Sequence, residues 1–280
     1  MVRRAIAFSV LLAALAPAGA AAAPRDDLAL AQRLRPRLFF DSKERWRPLD
    51  VDRFLAEPGH LACPAAPAAC VPLTSVAQLT PAVDHLDLRG DGPPDLPGPP
   101  AIYAHVVRRG GRIAIDYWWF LRYNAYSLDV HEGDWEGVTV IADRRGRRLL
   151  DVHFAAHADA WRYPARVPLV RGERVAVFVA RGDHAAYPRP CMRRCRQTDG
   201  TLPEARFDGR RPWSGNTTAG CRGRCVRLLP VHDGPPSSWD AWPGRWGVTT
   251  APAFAAPRSP AFQTRFRHPF AARRTARDFF

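Results

Sequence analysis

Six residues near the middle of the chain bring together side chains that bind cations. His131, Asp134 and Glu136 lie in the segment His-Glu-Gly-Asp-Trp-Glu, just before the β-branched run 138–141. In an extended strand alternate side chains share a face, so Asp134 and Glu136 point the same way, about 7 Å apart. Two such carboxylates repel each other unless a cation or a proton lies between them. The spacing therefore predicts a metal site on His131, Asp134 and Glu136. The alternative is a carboxylate pair on a solvated strand face.

The oxygen-rich donor set indicates which cation this site would take. Two carboxylates with one or two imidazoles suit Ca, Mg or Mn better than a structural zinc, which prefers thiolates and histidines. A divalent cation is therefore the cofactor that the sequence predicts.

Two other segments bring polar side chains to the ends of strand candidates, and adjacent strands could carry them to the same site. These side chains are His153, His157, Asp159, Asp183 and His184. Gly182 allows a sharp bend that would aim His184 across the sheet end. If the segments converge, the cation either holds the fold rigid or acts as a Lewis acid, and His157 or His184 is the candidate catalytic residue for proton transfer.

The chain lacks familiar signatures of hydrolases and proteases. It has no Gly-rich phosphate loop, no Gly-x-Ser-x-Gly elbow and no His-Glu-x-x-His helix. Serine nucleophile chemistry is therefore not expected, and whether the protein is an enzyme stays open.

Strand candidates follow one another at short intervals in the central part of the chain. They are residues 101–108, 112–123, 134–143, 149–156 and 174–181. This spacing leaves no room for helical crossovers, so we expect a mostly antiparallel β-sandwich. Helical spacing over 26–36, a strand at 37–40 and a short helix at 52–56 precede it. Long irregular loops are expected at about 57–100 and 190–280.

The N-terminus has the pattern of a secretory signal over residues 1–23. Two arginines precede an apolar stretch too short to cross a membrane, and small residues follow. We expect a secreted or periplasmic protein without a transmembrane segment, in which residues 24–280 form one β-sandwich domain.

The formal net charge of +14 favours an anionic partner. The basic residues are nearly all arginine and do not form a strip with interleaved aromatic residues, so specific nucleic-acid binding is not expected. An anionic lipid or glycan surface is the partner that the charge favours.

Six cysteines in an exported chain favour disulfides. Cys63 and Cys70 flank a short Pro/Ala loop and are predicted to pair. Cys191, Cys195, Cys221 and Cys225 could pair locally or cross-link, and a zinc site on their four thiolates is the rival interpretation.

Aromatic residues form two notable groups. The run Tyr117-Trp118-Trp119-Phe120 lies in a strand candidate and is expected in the core, with ligand stacking as the alternative. Trp239, Trp242 and Trp246 lie among Pro and Gly and are expected to be more exposed.

Several segments together resemble the vacuolar protein sorting-associated protein 62 family, over roughly residues 33–265. They are Arg-Leu-Arg-Pro-Arg-Leu-Phe-Phe-Asp (33–41), Asp-Val-Asp-Arg-Phe-Leu (50–55), Tyr-Ala-His-Val-Val (103–107), the aromatic run, HEGDWEGVTV (131–140) and VFVARGDHAAYP (177–188). This resemblance implies little about mechanism.

The His-x-x-Asp-x-Glu array is also similar, more distantly, to that of the necrosis- and ethylene-inducing peptide-like proteins, which are secreted cytolysins with an actinoporin-like β-sandwich. Their array helps to bind a divalent cation, and it carries over onto His131, Asp134 and Glu136. Glu132-Gly133 stands where the cytolysins have Arg-His. Asn124 or Asp129 is the nearest match for their upstream aspartate.

Three hypotheses follow for the function. The first is a cation-binding protein that engages an anionic surface, lipid or glycan. The second is a metal-dependent hydrolase of phosphoesters. The third is a cation site that only stabilises the fold.

Overall fold

The computed structural model describes most of the first two thirds of the chain and parts of the last third. The described residues are 25–65, 69–92, 100–126, 130–156, 159–164, 169–170, 174–192, 207–213, 226–228, 239–248, 256–272 and 274–275. Outside them lie the signal segment 1–23 and the candidates His157, Asp129, Cys195, Cys221 and Cys225.

Helices are few and short, as the sequence predicts. They are α1 (Arg25–Leu34), α2 (Val51–Leu55), α3 (Thr264–Arg267) and two 3₁₀ turns, Val76–Gln78 and Pro260–Phe262. The strands are β1 (Arg37–Phe40), β2 (Leu61–Pro64), β3 (Val71–Pro72), β4 (Val83–Asp87), β5 (Ile102–Arg109), β6 (Arg112–Asn124), β7 (His131–Asp143), β8 (Leu149–Ala156), β9 (Asp159–Pro164), β10 (Leu169–Val170), β11 (Arg174–Val179), β12 (Ala186–Tyr187), β13 (Arg211–Pro212), β14 (Val226–Leu228) and β15 (Arg274–Thr275).

A seven-stranded sheet is the largest element of the fold. Its order is β14-β5-β6-β7-β8-β9-β15, and the five central strands are antiparallel neighbours in sequence order. Gly110 and Gly111 close the β5–β6 hairpin with φ of 57° and 70°, the left-handed conformation that glycine adopts without steric cost. The mostly antiparallel β architecture expected from the strand spacing is confirmed.

A second sheet packs against one face of the first. Its path is β10-β11-β1-β13, with β12 also paired to β11. Strand β1 lies parallel to β11, with Arg37 opposite Ala176, although some 140 residues separate the two in sequence. Residues near the N-terminus are thus built into a sheet formed mainly by later parts of the chain.

The core between these two sheets follows the two-residue period of strand β6. Ile113, Ile115, Tyr117, Trp119 and Leu121 are buried together with the inner residues of the second sheet. Their alternate neighbours, Trp118 and Phe120, belong to a separate apolar cluster on the opposite face. The aromatic run is buried on both faces of the sheet, as the core interpretation predicted.

The expectation of exposed tryptophans in the C-terminal part is wrong. Trp242 and Trp246 have no exposed surface, and Trp239 is 8% exposed. Trp246 packs against Phe120 and Trp135, with ring centroids 4.9 and 5.5 Å apart. The flanking Pro and Gly residues indicated a loop. This loop is nevertheless buried, because it packs over the apolar second face of the large sheet.

The expectation of a wholly irregular segment at 57–100 is also wrong. A small sheet in the order β3-β2-β4 forms within it, and Leu86 and Leu88 are buried. Strands of two to five residues interrupted by proline give no sustained sequence period, which is why the pattern missed them. The predicted Cys63–Cys70 disulfide is present in this sheet.

Candidate functional site

Asp134 and Glu136 lie on one face of β7, as the two-residue period predicts. They precede Val138 on the face that packs toward the core between the two large sheets. The register places Leu121 opposite Asp134 and Trp119 opposite Glu136, so both carboxylates sit among large apolar side chains. Their residues are only 4% and 6% exposed. The solvated-face alternative is therefore wrong.

The turn after β11 brings His184 to Asp134. Gly182 and His184 both have positive φ, 85° and 54°. A left-handed conformation is uncommon for a residue other than glycine, and it aims the fully buried imidazole back toward β7. His184 Nδ1 lies 2.8 Å from Asp134 Oδ2. The predicted convergence of these two segments is confirmed.

Glu44 completes the buried polar group, and sequence reasoning did not find it. It follows β1, and its Oε1 lies 3.5 Å from His184 Nε2. The Glu44 carboxylate accepts backbone N–H bonds from Arg45 at 2.7 Å, Trp46 at 2.9 Å and Gly182 at 2.8 Å. Its only sequence signal is an acidic residue four positions beyond a buried strand, which many surface turns share.

Charge pairing determines the protonation states of Glu44 and His184. Burial alone would raise the pKa of Glu44, but the His184 charge and the hydrogen bonds lower it to about 2. Burial alone would lower the pKa of His184, but Glu44 and Asp134 raise it to about 10. With this pKa, His184 is an imidazolium at neutral pH, held between two carboxylates. Such a group does not shuttle protons near neutral pH, so the geometry does not favour His184 as the catalytic candidate.

The pKa of Glu136 is shifted in the opposite direction from that of Glu44. Burial, followed by the Asp134 charge, raises it well above the usual value. No hydrogen bond joins its carboxylate to any other part of the chain that the structure describes. Around it lie the carboxyl groups of Glu44, Asp134 and Asp183, against two cations, the imidazolium of His184 and the guanidinium of Arg265, both of which oppose the rise in the Glu136 pKa. Negative charge is therefore in excess at this end of the sandwich.

His131 is oriented by the backbone. Its Nδ1 lies 2.9 Å from the carbonyl oxygen of Gly133 and 3.2 Å from that of Glu132. Backbone carbonyl oxygens beside Nδ1 fix the orientation of the ring, as they commonly do for metal-ligating histidines.

The donor set fits a hydrated hard cation better than a fully enclosed one. Within the described ranges, no three His, Cys, Asp or Glu side chains are arranged to hold a single metal ion. Mg²⁺ characteristically keeps several waters and binds through one or two carboxylates, whereas zinc sites need three or four protein ligands. Asp134 and Glu136 could supply two such carboxylates, so the metal ligation by His131, Asp134 and Glu136 stays a prediction.

Glu132, the remaining acidic residue of the motif, has a structural role. Its carboxylate accepts backbone N–H bonds from Leu88 at 2.8 Å, Gly90 at 2.5 Å and Val248 at 3.2 Å. It therefore ties the start of β7 to the segment after β4 and to the C-terminal tryptophan loop. Gly133 next to it, with φ of 59°, lies where a Cβ would meet the backbone of Trp246.

The expectation that His153 would join this site is wrong. The register pairs His153 with Thr139, whose side chain points to the opposite face of the sheet from Glu136. There Thr139 Oγ1 donates to Asp116 at 2.7 Å and Arg265 Nη1 donates to the same oxygen at 2.7 Å. Alternate residues of a strand point to opposite faces of the sheet. His153 therefore lies on the face of Thr139 and Asp116, away from Glu136.

Cysteine chemistry argues against the zinc alternative. Cys191 is disulfide-bonded, and the described residues include no free cysteine. A thiol engaged in a disulfide is not available as a thiolate ligand.

No family model matches this chain, and no curated protein matches it. The resemblance to the vacuolar protein sorting-associated protein 62 family thus has no support.

No helix within the described residues is long and apolar enough to cross a membrane.

Solved structures of necrosis- and ethylene-inducing proteins are similar, in line with the more distant resemblance. One is NLPPya in complex with glucosamine, at 16% identity over 85% of each chain with a TM-score of 0.42. Another, described as a toxin fold for microbial attack and plant defense, is 17% identical over 85% of this chain and 86% of the other, with a TM-score of 0.42.

A third is Necrosis and Ethylene inducing Protein 2 from the causal agent of cocoa's Witches Broom disease. It is 14% identical over 79% of this chain and 90% of the other, with a TM-score of 0.35. Likenesses this distant carry no argument about the activity of this chain.

Proposed function

We propose that the protein is an exported, divalent-cation-binding β-sandwich that engages an anionic lipid or glycan surface through the bound cation. One observation carries the proposal: Asp134 and Glu136 are buried on one strand face with too little positive charge around them. Two cations act on this face, and both have other carboxylate partners: Glu44 and Asp134 share His184, and Arg265 pairs with Asp116. A divalent ion would relieve the repulsion that raises the pKa of Glu136.

The kind of partner follows from the kind of ion. A hard cation held by two or three protein ligands keeps open positions, which waters or oxygens of a partner can fill. Phosphate, carboxylate and hydroxyl oxygens of lipids and glycans suit those positions. The formal net charge of +14 adds a non-specific attraction to the same surfaces. The Cys63–Cys70 disulfide supports export, because such bonds persist in oxidising compartments.

The test compares the metal content of three proteins after dialysis against mixed divalent ions. The parent is expected to retain close to one equivalent of Ca, Mg or Mn by elemental mass spectrometry. The double variant Asp134→Asn/Glu136→Gln should retain none. The matched control Asp143→Asn removes a carboxylate from the other end of β7, where it accepts N–H bonds in an exposed turn, and should keep the metal.

A second measurement addresses the surface. The metal-loaded parent is expected to bind vesicles of anionic phospholipid, or an acidic polysaccharide, and to lose that binding in a chelator. Absence of metal from the parent would overturn the cation site. Metal without chelator-sensitive binding would overturn the surface role and leave the cation as a stabiliser of the fold, which metal-dependent melting would report.

A further inference from the structure

Arg35 is a buried guanidinium at the opposite end of the sandwich from the carboxylates. It lies between α1 and Pro36, just before β1, and has no exposed surface. Its Nε, Nη1 and Nη2 atoms all lack a hydrogen-bond partner among the described residues. Arginine stays protonated in proteins, so it does not become neutral on burial as other ionisable groups do.

The charged neighbour of Arg35 is another arginine. The parallel register of β1 and β11 sets Arg37 opposite Ala176, which continues back to place Arg35 beside Arg174. Burial, followed by the Arg174 charge, lowers the pKa of Arg35. The Tyr117 hydroxyl also lies near, but it donates its proton to the carbonyl oxygen of Ala31 at 2.7 Å. No described carboxylate compensates this pair of cations.

Other buried arginines of the described chain show how unusual this is. Arg122 is 3% exposed and forms an ion pair with Glu57. Arg265 forms an ion pair with Asp116 at 2.7 Å. Buried charges in proteins are ordinarily paired or bind an ion of opposite sign. Arg35 has the burial of these residues and lacks the anion.

We propose that Arg35 and Arg174 form a binding site for a small oxyanion such as phosphate or sulfate, where β1 and β11 begin. A guanidinium offers parallel N–H donors that match two oxygens of such an ion, and burial strengthens both bonds. Because Arg35 has no exposed surface, a headgroup that remains in a bilayer is not expected to reach it, so the ligand that we infer is a small free ion. This site is separate from the carboxylates of β7 and does not depend on a bound metal.

Isothermal titration with inorganic phosphate, at constant ionic strength, tests the proposal. The parent is expected to bind one phosphate, and Arg35→Met is expected to bind it at least about tenfold more weakly. The matched control is Arg162→Met, which removes an equal charge from a half-exposed ion pair with Asp151, and its phosphate affinity should be unchanged. Arg174→Met gives a second variant, expected to weaken binding, in case Arg35→Met does not fold.

Three outcomes would overturn the proposal. One is a parent that binds no phosphate at this ionic strength. Another is equal phosphate affinity in the parent, Arg35→Met and Arg174→Met, because the attraction would then be the general charge of the protein. The third is that Arg35→Met loses binding to phosphatidic acid vesicles but not to free phosphate, because the ligand would then be the lipid.

Discussion

Two histidines of this protein are buried to a similar degree and take opposite charge states. His184 is an imidazolium because Glu44 and Asp134 flank it. His153, on the other face of the sheet, has its pKa lowered to about 4, chiefly by burial, with Asp151 opposing the shift. The contrast follows from the neighbouring charges, since two carboxylates flank His184, whereas Arg162 and Arg265 oppose the effect of Asp151 on His153.

His153 makes the stability of the fold depend on acid. Its folded pKa of about 4 lies below the ordinary 6.5, so between these values the unfolded chain takes the proton first. The free energy of unfolding should fall by about 3 kcal/mol through this group as the pH drops from 7 to 4. Urea unfolding of the parent and His153→Leu at both pH values checks this.

His153→Leu should lose about 3 kcal/mol less stability than the parent when the pH drops from 7 to 4. The control is His85→Leu, which removes a histidine whose side chain is 30% exposed. Its free energy of unfolding is expected to fall on acidification as much as that of the parent. An equal loss in all three proteins would show that His153 does not contribute.

Helix α3 is held against the large sheet by Arg265 and by Phe266, whose buried ring stacks on His105 at 3.8 Å between centroids. Arg265 donates to the Asp116 carboxylate at 2.7 Å and to the carbonyl oxygen of Tyr117 at 3.2 Å, and its guanidinium lies 3.5 Å from the Trp118 ring centroid. Gly137 on β7 makes room, because a Cβ there would meet Arg265 Nη2. Four residues of helix have little stability of their own, so these tertiary contacts of Arg265 and Phe266 hold the helix in place.

Removing one partner of the Arg265–Asp116 pair should strongly destabilise the protein. Arg265→Met leaves Asp116 buried without its cation, and we expect a loss of about 3–5 kcal/mol in the free energy of unfolding. The double variant Arg265→Met/Asp116→Leu should be more stable than the single one, since Asp116 is then no longer a buried carboxylate without its cation. Urea unfolding at neutral pH measures both.

The control for this experiment is on the same helix. Arg267 lies on the exposed side of α3 and bonds the Ala261 carbonyl oxygen, so Arg267→Met should change stability by no more than about 0.5 kcal/mol. A loss in Arg267→Met equal to that in Arg265→Met would contradict the special role of the buried pair.

At the scale of the whole molecule, the excess of arginine should act on any anionic surface. Binding to phosphatidylglycerol vesicles is expected to weaken at least about tenfold between ~50 mM and ~500 mM NaCl, because salt screens exposed charges. Co-sedimentation at the two salt concentrations measures the effect, with phosphatidylcholine vesicles as the control. Equal binding to both lipids would show that charge does not drive the association.

The sequence predicted the parts of this molecule that depend on local period. Alternation placed Asp134 and Glu136 on one face of β7, and the short strand intervals indicated an antiparallel sheet. Gly182 correctly indicated the bend that brings His184 to Asp134. These features depend on neighbouring residues, which a single sequence displays directly.

The remaining features depend on contacts between distant residues. Glu44 joins the site through Gly182 and His184, some 140 positions later. The tryptophan loop is buried because it covers Phe120 and Trp135, and nothing within the loop itself encodes that cover. The face of His153 follows from the parity of its register with β7, which the sequence alone does not specify.

The parallel pairing of β1 with β11 has a consequence for the order in which the molecule folds. The antiparallel hairpins from β5 to β9 join neighbours and can form early, whereas β1 cannot dock until residues up to Val179 are present. Closing a loop of this length is entropically costly and slow. Because Glu44 follows β1 and His184 follows β11, the buried charge cluster is complete only when β1 is docked on β11. A cation that binds there would select fully folded molecules over those that still lack their first strand.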